Sequence, residues 1–318
     1  MNAKIVAIVA GLAGVAIGYA QADLPNPYRT VESWFKLPDG RMWGSTSAVE
    51  VDRDGNLWVA ERCGANSCAG SNLPSILKFD ASGKLLKSFG EGMFVFPHGI
   101  YVDPQGNIWV TDGQGKDGKG QQVFKFNPDG KVLMTLGKAG VAGDGLDTFN
   151  QPSDVIVAAN GDIFVADGHG GNTNARVVKF SKDGKFIKAW GKKGTGPGDF
   201  ETPHGFAMDS RGRLFVADRG NNRVEIFDQN GTFLDQWTAF GQPSGLYIDA
   251  DDRLYVAAIG DKSGLVIGSA KTGTVDQLLP IPSKDLNGPH LVTADRRGTI
   301  YVADLLASDL RKFVRDAR

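Results

Sequence analysis

Short apolar segments separated by polar turns recur along the whole chain. The most regular of them combine β-branched and aromatic residues, and five of the six end in Asp or Glu; they span 57–61, 108–112, 163–167, 214–218, 254–258 and 300–304. Segments of this length and composition are typical of buried β-strands. Another apolar segment precedes each one across an Asp/Gly turn. The pattern therefore predicts an all-β chain rather than one with amphipathic helices.

Each repeat continues with two further strand-like segments. In the second repeat, for example, 99–103 and 108–112 flank the first turn and 122–126 follows. Four short strands at a period of about 40–50 residues predict one blade of a β-propeller. Six turns mark six blades, with their key residues at Gly55, Gly106, Gly161, Gly212, Asp252 and Gly298.

The sixth repeat ends before its fourth strand. A matching segment lies at the other end of the chain, where 30–34 has the same pattern as 186–190. We expect this N-terminal strand to complete the last blade and so remove a free sheet edge. The sequence thus predicts a single six-bladed β-propeller domain over 23–318.

The first 22 residues have the pattern of a signal peptide. Lys4 supplies the positive start, 5–20 is apolar and uncharged, and Ala20-Gln21-Ala22 matches a small-x-small cleavage site. We therefore expect an exported, periplasmic or secreted protein with no membrane span after removal of 1–22. An uncleaved N-terminal anchor is the less favoured alternative.

Composition narrows the class further. The 43 glycines among 318 residues fit many tight turns, and 41% apolar residues suffice for a core. A formal net charge of −1 argues against a nucleic-acid partner, which would favour a basic domain. The two cysteines, Cys63 and Cys68, lie in one loop, and in an exported protein such a pair predicts a disulfide.

Candidate chemistry appears eight residues before each of the six turn positions. Serine and histidine alternate there, at Ser47, His98, Ser153, His204, Ser244 and His290. Each of these histidines follows a proline, which favours an extended approach of the chain. In a six-bladed ring, alternate blades are about 120° apart. Three imidazoles then converge on the axis, an arrangement that suits a catalytic metal with an open coordination position. Three separate channel-lining histidines are the alternative.

The chain resembles the NHL-repeat propellers, and among them the peptidyl-α-hydroxyglycine α-amidating lyase family. Most of the chain, from about 49 to 313, is similar, and the segments that carry the resemblance are 97–100, 151–155, 167–169, 203–205, 216–219 and 289–290. The resemblance implies a six-bladed propeller with Zn²⁺ bound by His98, His204 and His290. It also matches Arg62 and Arg219 to active-site arginines.

Two positions depart from that family. The resemblance implies structural calcium at the carbonyls of Val49 and Ile100 and at an Asp after the last histidine, but Leu291 stands there, which argues against calcium. His169 stands where the family has a catalytic tyrosine. Three interpretations of His169 are open: a solvated loop residue, a general base with a pKa near the working pH, or a fourth metal ligand.

The arginines have alternatives too. For Arg62 a salt bridge between blades is less favoured than a role in holding a substrate carboxylate, because a planar guanidinium binds a carboxylate in bidentate fashion. For Arg219 the sequence slightly favours a salt bridge between blades. Ser47, Ser153 and Ser244 are interpreted as small residues that leave room in the channel.

The resemblance implies a zinc-dependent lyase that cleaves the C–N bond of an α-hydroxyglycine-like substrate into an amide and glyoxylate. The expected partner is therefore a small molecule or peptide with a carboxylate. Two alternatives remain: a metal-dependent lactonase or esterase in the same channel, and a non-catalytic NHL-repeat module of the cell envelope that binds a protein on its loop face. Without the resemblance, the residues predict only a metal with an open coordination position.

Overall fold

The computed structural model describes residues 26–31, 34–38, 40–284, 288–306 and 309–316. Within these ranges the chain forms twenty-four β-strands in six four-stranded antiparallel sheets. The predicted signal peptide lies outside the described residues.

Five blades are built from consecutive strands. Their bounds are, in chain order, β2 Thr46–Val51, β3 Leu57–Glu61, β4 Ile76–Phe79 and β5 Leu85–Phe89; β6 Pro97–Val102, β7 Ile108–Asp112, β8 Gln122–Phe126 and β9 Val132–Leu136; β10 Pro152–Val157, β11 Ile163–Asp167, β12 Arg176–Phe180 and β13 Phe186–Trp190; β14 Pro203–Met208, β15 Leu214–Asp218, β16 Arg223–Phe227 and β17 Phe233–Trp237; β18 Gln242–Ile248, β19 Arg253–Ile259, β20 Gly264–Ser269 and β21 Val275–Pro280. Two 3-10 helices, Arg219–Asn221 and Gly260–Lys262, follow β15 and β19.

The sixth blade joins the two ends of the chain. It contains β22 Pro289–Ala294, β23 Ile300–Asp304 and β24 Asp309–Arg315, with β1 Tyr28–Val31 as its outer strand. Thr30 lies opposite Phe313 in the antiparallel pair of β1 and β24. The predicted closure is confirmed, although the described strand begins two residues earlier than expected. The outer edge of β24 is thereby paired with β1.

The six innermost strands line the ring axis. The first strand of each blade contacts the first strand of the next, from β2 through β6, β10, β14 and β18 to β22 and back to β2. Because all six run in the same sense along the axis, residues at one repeat offset form a layer across the channel. The predicted six-bladed propeller is therefore confirmed.

Hydrophobic clusters lie between neighbouring blades and hold the ring together. One joins Trp58 and Ile76 of the first blade to Ile100 and Phe126 of the second. The turns tie these layers at their ends: the Trp58 indole N–H donates to Asp52, 3.2 Å away. Burial of large side chains between sheets supplies the main favourable term for this architecture.

The fifth turn has no glycine at the position that glycine occupies in the other five repeats. Asp252 replaces glycine there and has φ +61°, against +82° at Gly55. Asp is one of the few residues other than glycine that adopt this left-handed region readily. The repeat therefore keeps its geometry without glycine.

The predicted disulfide between Cys63 and Cys68 is present in the loop after β3. No helix within the described ranges has the length and apolar character needed to cross a membrane.

Candidate metal centre

The alternating histidines and serines form the first layer at one end of the channel. His98, His204 and His290 each occupy the second position of an innermost strand that begins with proline. In all three strands the pairing with the next strand shifts register directly after that proline. Such a bulge re-aims a side chain, and here the imidazoles lie buried on the axis.

The three imidazoles meet as predicted. Their ring centroids are 4.8 Å apart for His98 and His204, and 4.7 Å apart for each of the other two pairs. His169 joins them, with its ring 4.8 Å from that of His98. One ligand nitrogen from each of the four histidines lies within 4.8 Å of all the others. Contributions from blades two, three, four and six therefore converge on one point.

The backbone fixes which nitrogen each imidazole presents. In each axial histidine, Nδ1 donates to the carbonyl oxygen of the serine that lies in the same layer of the following blade. His98 donates to Ser153 at 2.6 Å, His204 to Ser244 at 2.8 Å and His290 to Ser47 at 2.5 Å. A carbonyl oxygen only accepts, so Nδ1 carries the hydrogen and Nε2 keeps its lone pair. This is the arrangement by which metal-binding histidines are normally oriented.

The serines do more than leave room in the channel. Ser47 Oγ donates to the carbonyl of Pro97 at 2.8 Å, and Ser153 Oγ donates to that of Pro203 at 2.7 Å. Each serine thus holds the peptide that precedes a histidine of the next blade. Ser244 Oγ is the exception, since it is buried and has no hydrogen-bond partner.

Two aspartates position the same segments from the second strands. Asp112 accepts from the backbone N–H groups of Val95 and Phe96, and Asp218 accepts from those of Glu201 and Thr202. Their role is to anchor the approach to Pro97-His98 and Pro203-His204.

Burial keeps the three axial histidines neutral. It lowers the pKa of His98, His204 and His290 well below the ordinary value, and neighbouring histidines and arginines lower it further. Neutral imidazole is the form that ligates a metal. Nε2 of His98 is buried and has no hydrogen-bond partner among the described residues. A buried polar atom without a partner costs free energy of folding unless a ligand binds it. The donor set, its spacing and this orphaned atom fit a transition metal such as zinc.

His169 lies in the loop two residues after β11, where its backbone N–H donates to Thr173 Oγ1 at 2.9 Å. Burial lowers the pKa of His169 to about 3, and the charges of Arg219 and Arg62 add to that effect. The free protein therefore does not have the pKa near the working pH that we expected from the sequence. A neutral His169 suits either the role of base or that of metal ligand.

Arg62 is buried beside the cluster without an acidic partner in ion-pairing distance among the described residues. Its Nη1 donates to Asn66 Oδ1 at 2.6 Å and its Nε to the Pro97 carbonyl at 3.2 Å. The guanidinium stacks 3.5 Å from the centre of the Phe96 ring. Burial lowers the pKa of Arg62 to about 9. Its charge still acts on His98, His169 and His290.

Arg219 does not form the salt bridge that the sequence favoured. The neighbouring Asp218 pairs with Arg223 instead, at 3.0 Å. Arg219 Nη1 donates to Nε2 of His204 at 2.7 Å, inside the cluster. Burial lowers the pKa of Arg219 to about 10. Two buried guanidinium groups, neither paired with a carboxylate among the described residues, thus flank four neutral imidazoles, an arrangement that favours anions.

The calcium position of the resembled family is apolar here. Leu291 is buried and packs in a hydrophobic cluster that also contains Ile100 and Ala48. Leu291 therefore supplies no side-chain oxygen for calcium at that position.

Several site residues escaped sequence reasoning. Asn66 has no equivalent in the other repeats, and nothing in the sequence distinguishes Phe96, which precedes Pro97, as a site residue. The serine carbonyls could not be found at all, because every residue has one. The one sequence feature that indicated a relationship between the serines and the histidines was their alternation at one repeat position.

Fold and site together define a six-bladed β-propeller with a histidine cluster on its axis. Residues 94–126 and 200–227 match the NHL repeat family, and 149–212 match a family described as a 6-bladed beta-propeller. Human NHL repeat-containing protein 3 is 33% identical over 302 residues, covering 90% of this chain and 84% of that protein. The chain belongs to this family of NHL-repeat propellers.

Relatives also include amidating lyases. Peptidyl-alpha-hydroxyglycine alpha-amidating lyase 1 of Drosophila melanogaster is 33% identical over 347 residues, covering 92% of this chain and 61% of that protein. A gluconolactonase from Xanthomonas campestris shares the fold, with a TM-score of 0.64 and 16% identity over 91% of this chain and 95% of its own. At that identity the likeness concerns the fold alone.

Proposed function

We propose that this protein is an exported zinc-dependent lyase that cleaves α-hydroxyglycine-like compounds into an amide and glyoxylate. The observation that carries the proposal is the convergence of the axial imidazoles with Nδ1 bound to backbone, beside two buried arginines without carboxylate partners. The amidating-lyase relatives supply the reaction class.

His98, His204 and His290 would hold the zinc ion through Nε2. Bound there, zinc would supply Lewis-acid activation of the substrate hydroxyl group. In the free protein Arg219 donates a hydrogen bond to Nε2 of His204, the same nitrogen that would bind zinc. Metal binding therefore requires Arg219 to give up this hydrogen bond, which frees its guanidinium for a substrate group.

The arginines bind and orient the substrate carboxylate. Arg62 is preorganised by Asn66 and by its stacking on Phe96. A guanidinium held in this way loses little entropy when it binds a planar carboxylate. The carboxylate also offsets the positive charge that lowers the pKa of His169.

His169 moves the proton in this proposal. It accepts the hydroxyl proton of the substrate, the electron pair of that O–H bond forms the aldehyde C=O, and the C–N bond breaks. His169 then returns the proton to the departing amide nitrogen. The atoms balance as one carbinolamide giving one amide and one glyoxylate, and no oxidant or water is consumed.

The test measures metal and product together. Purified protein is analysed for bound zinc, then incubated with α-hydroxyhippurate while glyoxylate and benzamide are quantified. We expect about one zinc per chain and equal amounts of the two products, with both zinc and turnover lost in His204→Ala. Full activity in that variant rejects the site. Zinc without glyoxylate, but with turnover of a lactone or ester, indicates the hydrolase alternative. A protein with neither metal nor turnover is a binding module.

A further inference from the structure

A second cavity lies at the opposite end of the ring axis from the histidines. It has a volume of about 340 Å³ and is lined by the far ends of innermost strands. Six residues lie three positions beyond the serine and histidine layer, about 10 Å along the strands: Glu50, Tyr101, Ile156, Ala207, Tyr247 and Thr293. All but Thr293 line the cavity.

Ala207 explains why this layer leaves space. It lies three blades from Glu50 and hence across the axis from it, with only a methyl group as its side chain. Tyr101 flanks Glu50 from the next blade, and its hydroxyl donates to the Val157 carbonyl at 3.2 Å. Tyr247 is partly buried on another side of the cavity. The wall around the carboxyl group of Glu50 is thus aromatic and aliphatic.

Glu50 has no cationic partner within ion-pairing distance in the part of the chain that the structure describes. Its hydrogen bonds all reach Oε1, from Thr293 Oγ1 at 3.2 Å and from the Val51 N–H at 3.3 Å. Asp209 also lines the cavity, but its charge is paired with Arg213 at 2.7 Å. Glu50 is therefore the uncompensated acid of this pocket.

The charge of a second buried acid acts on Glu50. Asp154 is buried in the same channel, where its oxygens accept from the backbone N–H groups of Val155 and Phe206. The repulsion between Asp154 and Glu50 adds to the effect of burial, which raises the pKa of Glu50 to about 8. A positive ligand would relieve both costs.

We propose that this cavity binds a small organic cation, a primary or quaternary ammonium with an apolar body, between Glu50 and the rings of Tyr101 and Tyr247. Carboxylate and tyrosine faces both attract such a cation, and aliphatic residues accommodate its body. A divalent metal fits less well, because it needs several oxygen ligands, whereas Asp209 is paired with Arg213 and Asp154 is bound by backbone N–H groups, which leaves the carboxyl group of Glu50. The inference needs no metal at the histidines and does not rest on the proposed lyase activity.

The experiment titrates n-butylammonium and tetramethylammonium into the purified protein and follows binding by calorimetry at pH 8. We expect saturable binding of at least one of the two, weakened ten-fold or more in Glu50→Gln. The matched control Glu91→Gln removes an exposed acid and should bind as the unaltered protein does. His98→Ala should also bind the amine normally, which separates this site from the lyase site.

A second variant tests the space itself. Ala207→Leu keeps Glu50 but fills the cavity, and it should weaken binding as strongly as Glu50→Gln. Circular dichroism melting checks that each variant is folded. The proposal is overturned if neither ammonium binds saturably, if Glu50→Gln binds unchanged, or if Ca²⁺ binds at Glu50 and displaces the amine.

Discussion

Nδ1 of His98 lies 2.6 Å from the carbonyl oxygen of Ser153, which belongs to the neighbouring blade. The partner is backbone, so the bond survives replacement of the serine side chain. His98 is therefore oriented by the neighbouring blade rather than by its own.

This relationship predicts a contrast between two variants. His98→Ala removes a ligand and should lose bound zinc and glyoxylate production. Ser153→Ala should retain zinc, because only the Oγ contacts with the carbonyls of Pro203 and Ala166 are lost, at a cost of about 1 kcal/mol in the free energy of unfolding. Metal analysis and chemical denaturation measure the two effects. Loss of zinc in Ser153→Ala contradicts orientation by the carbonyl.

His169→Ala separates the two roles of the fourth histidine. If His169 is the base, the variant keeps its zinc while turnover falls by a factor on the order of 10² to 10⁴. Cobalt substitution adds an independent measurement, because its absorption spectrum should be the same in the variant and the unaltered protein. Loss of the metal, or a changed cobalt spectrum, would show that His169 is a ligand instead.

Arg62→Ala should raise KM for α-hydroxyhippurate, because it removes a charged hydrogen-bonding partner of the carboxylate. A loss of about 1.5–3 kcal/mol corresponds to roughly 10- to 100-fold in kcat/KM. Asn66→Ala keeps the guanidinium but removes its anchor at 2.6 Å, so we expect a smaller rise in KM with little change in kcat. Steady-state kinetics test this ordering, and an Asn66→Ala effect larger than that of Arg62→Ala would refute it.

The disulfide closes the loop that carries Asn66. Replacing both Cys63 and Cys68 by serine should cost about 2 kcal/mol of stability for so short a loop, and KM should rise as it does in Asn66→Ala. Combining the cysteine changes with Asn66→Ala should add little further to KM, since both act through Arg62. Additive effects on KM would mean that the disulfide acts elsewhere.

Glu50 predicts a pH effect on stability. Its pKa is raised to about 8, above the roughly 4.3 of an unfolded chain. The folded state then holds a proton that the unfolded state releases, so this contribution to the unfolding free energy is fully present below about pH 4 and is lost as pH rises through about 8. The melting temperature of Glu50→Gln minus that of the unaltered protein should therefore be larger at pH 8 than at pH 4.5. Parallel pH profiles for the two proteins would exclude the effect, and Glu91→Gln serves as the control.

Repeat periodicity predicted the ring, its closure and the meeting of three histidines, since one offset in equivalent blades means one layer in space. His169 entered the site from a loop after β11, where the sequence left its role open. Asn66 could not be predicted because its contact depends on how one irregular loop folds. Arg219 was partly misjudged: its nearest acid in sequence, Asp218, is already paired with Arg223.

Between about pH 8, where Glu50 ionises, and about pH 9, where Arg62 loses its proton, the ring axis carries opposite charges at its two ends: Arg62 and Arg219 near the histidines, and Glu50 and Asp154 farther along the strands. The electrostatic potential along the axis should then change sign, so small anions would be favoured at one face and small cations at the other. The two proposed sites would thereby hold unlike molecules that do not compete for one place.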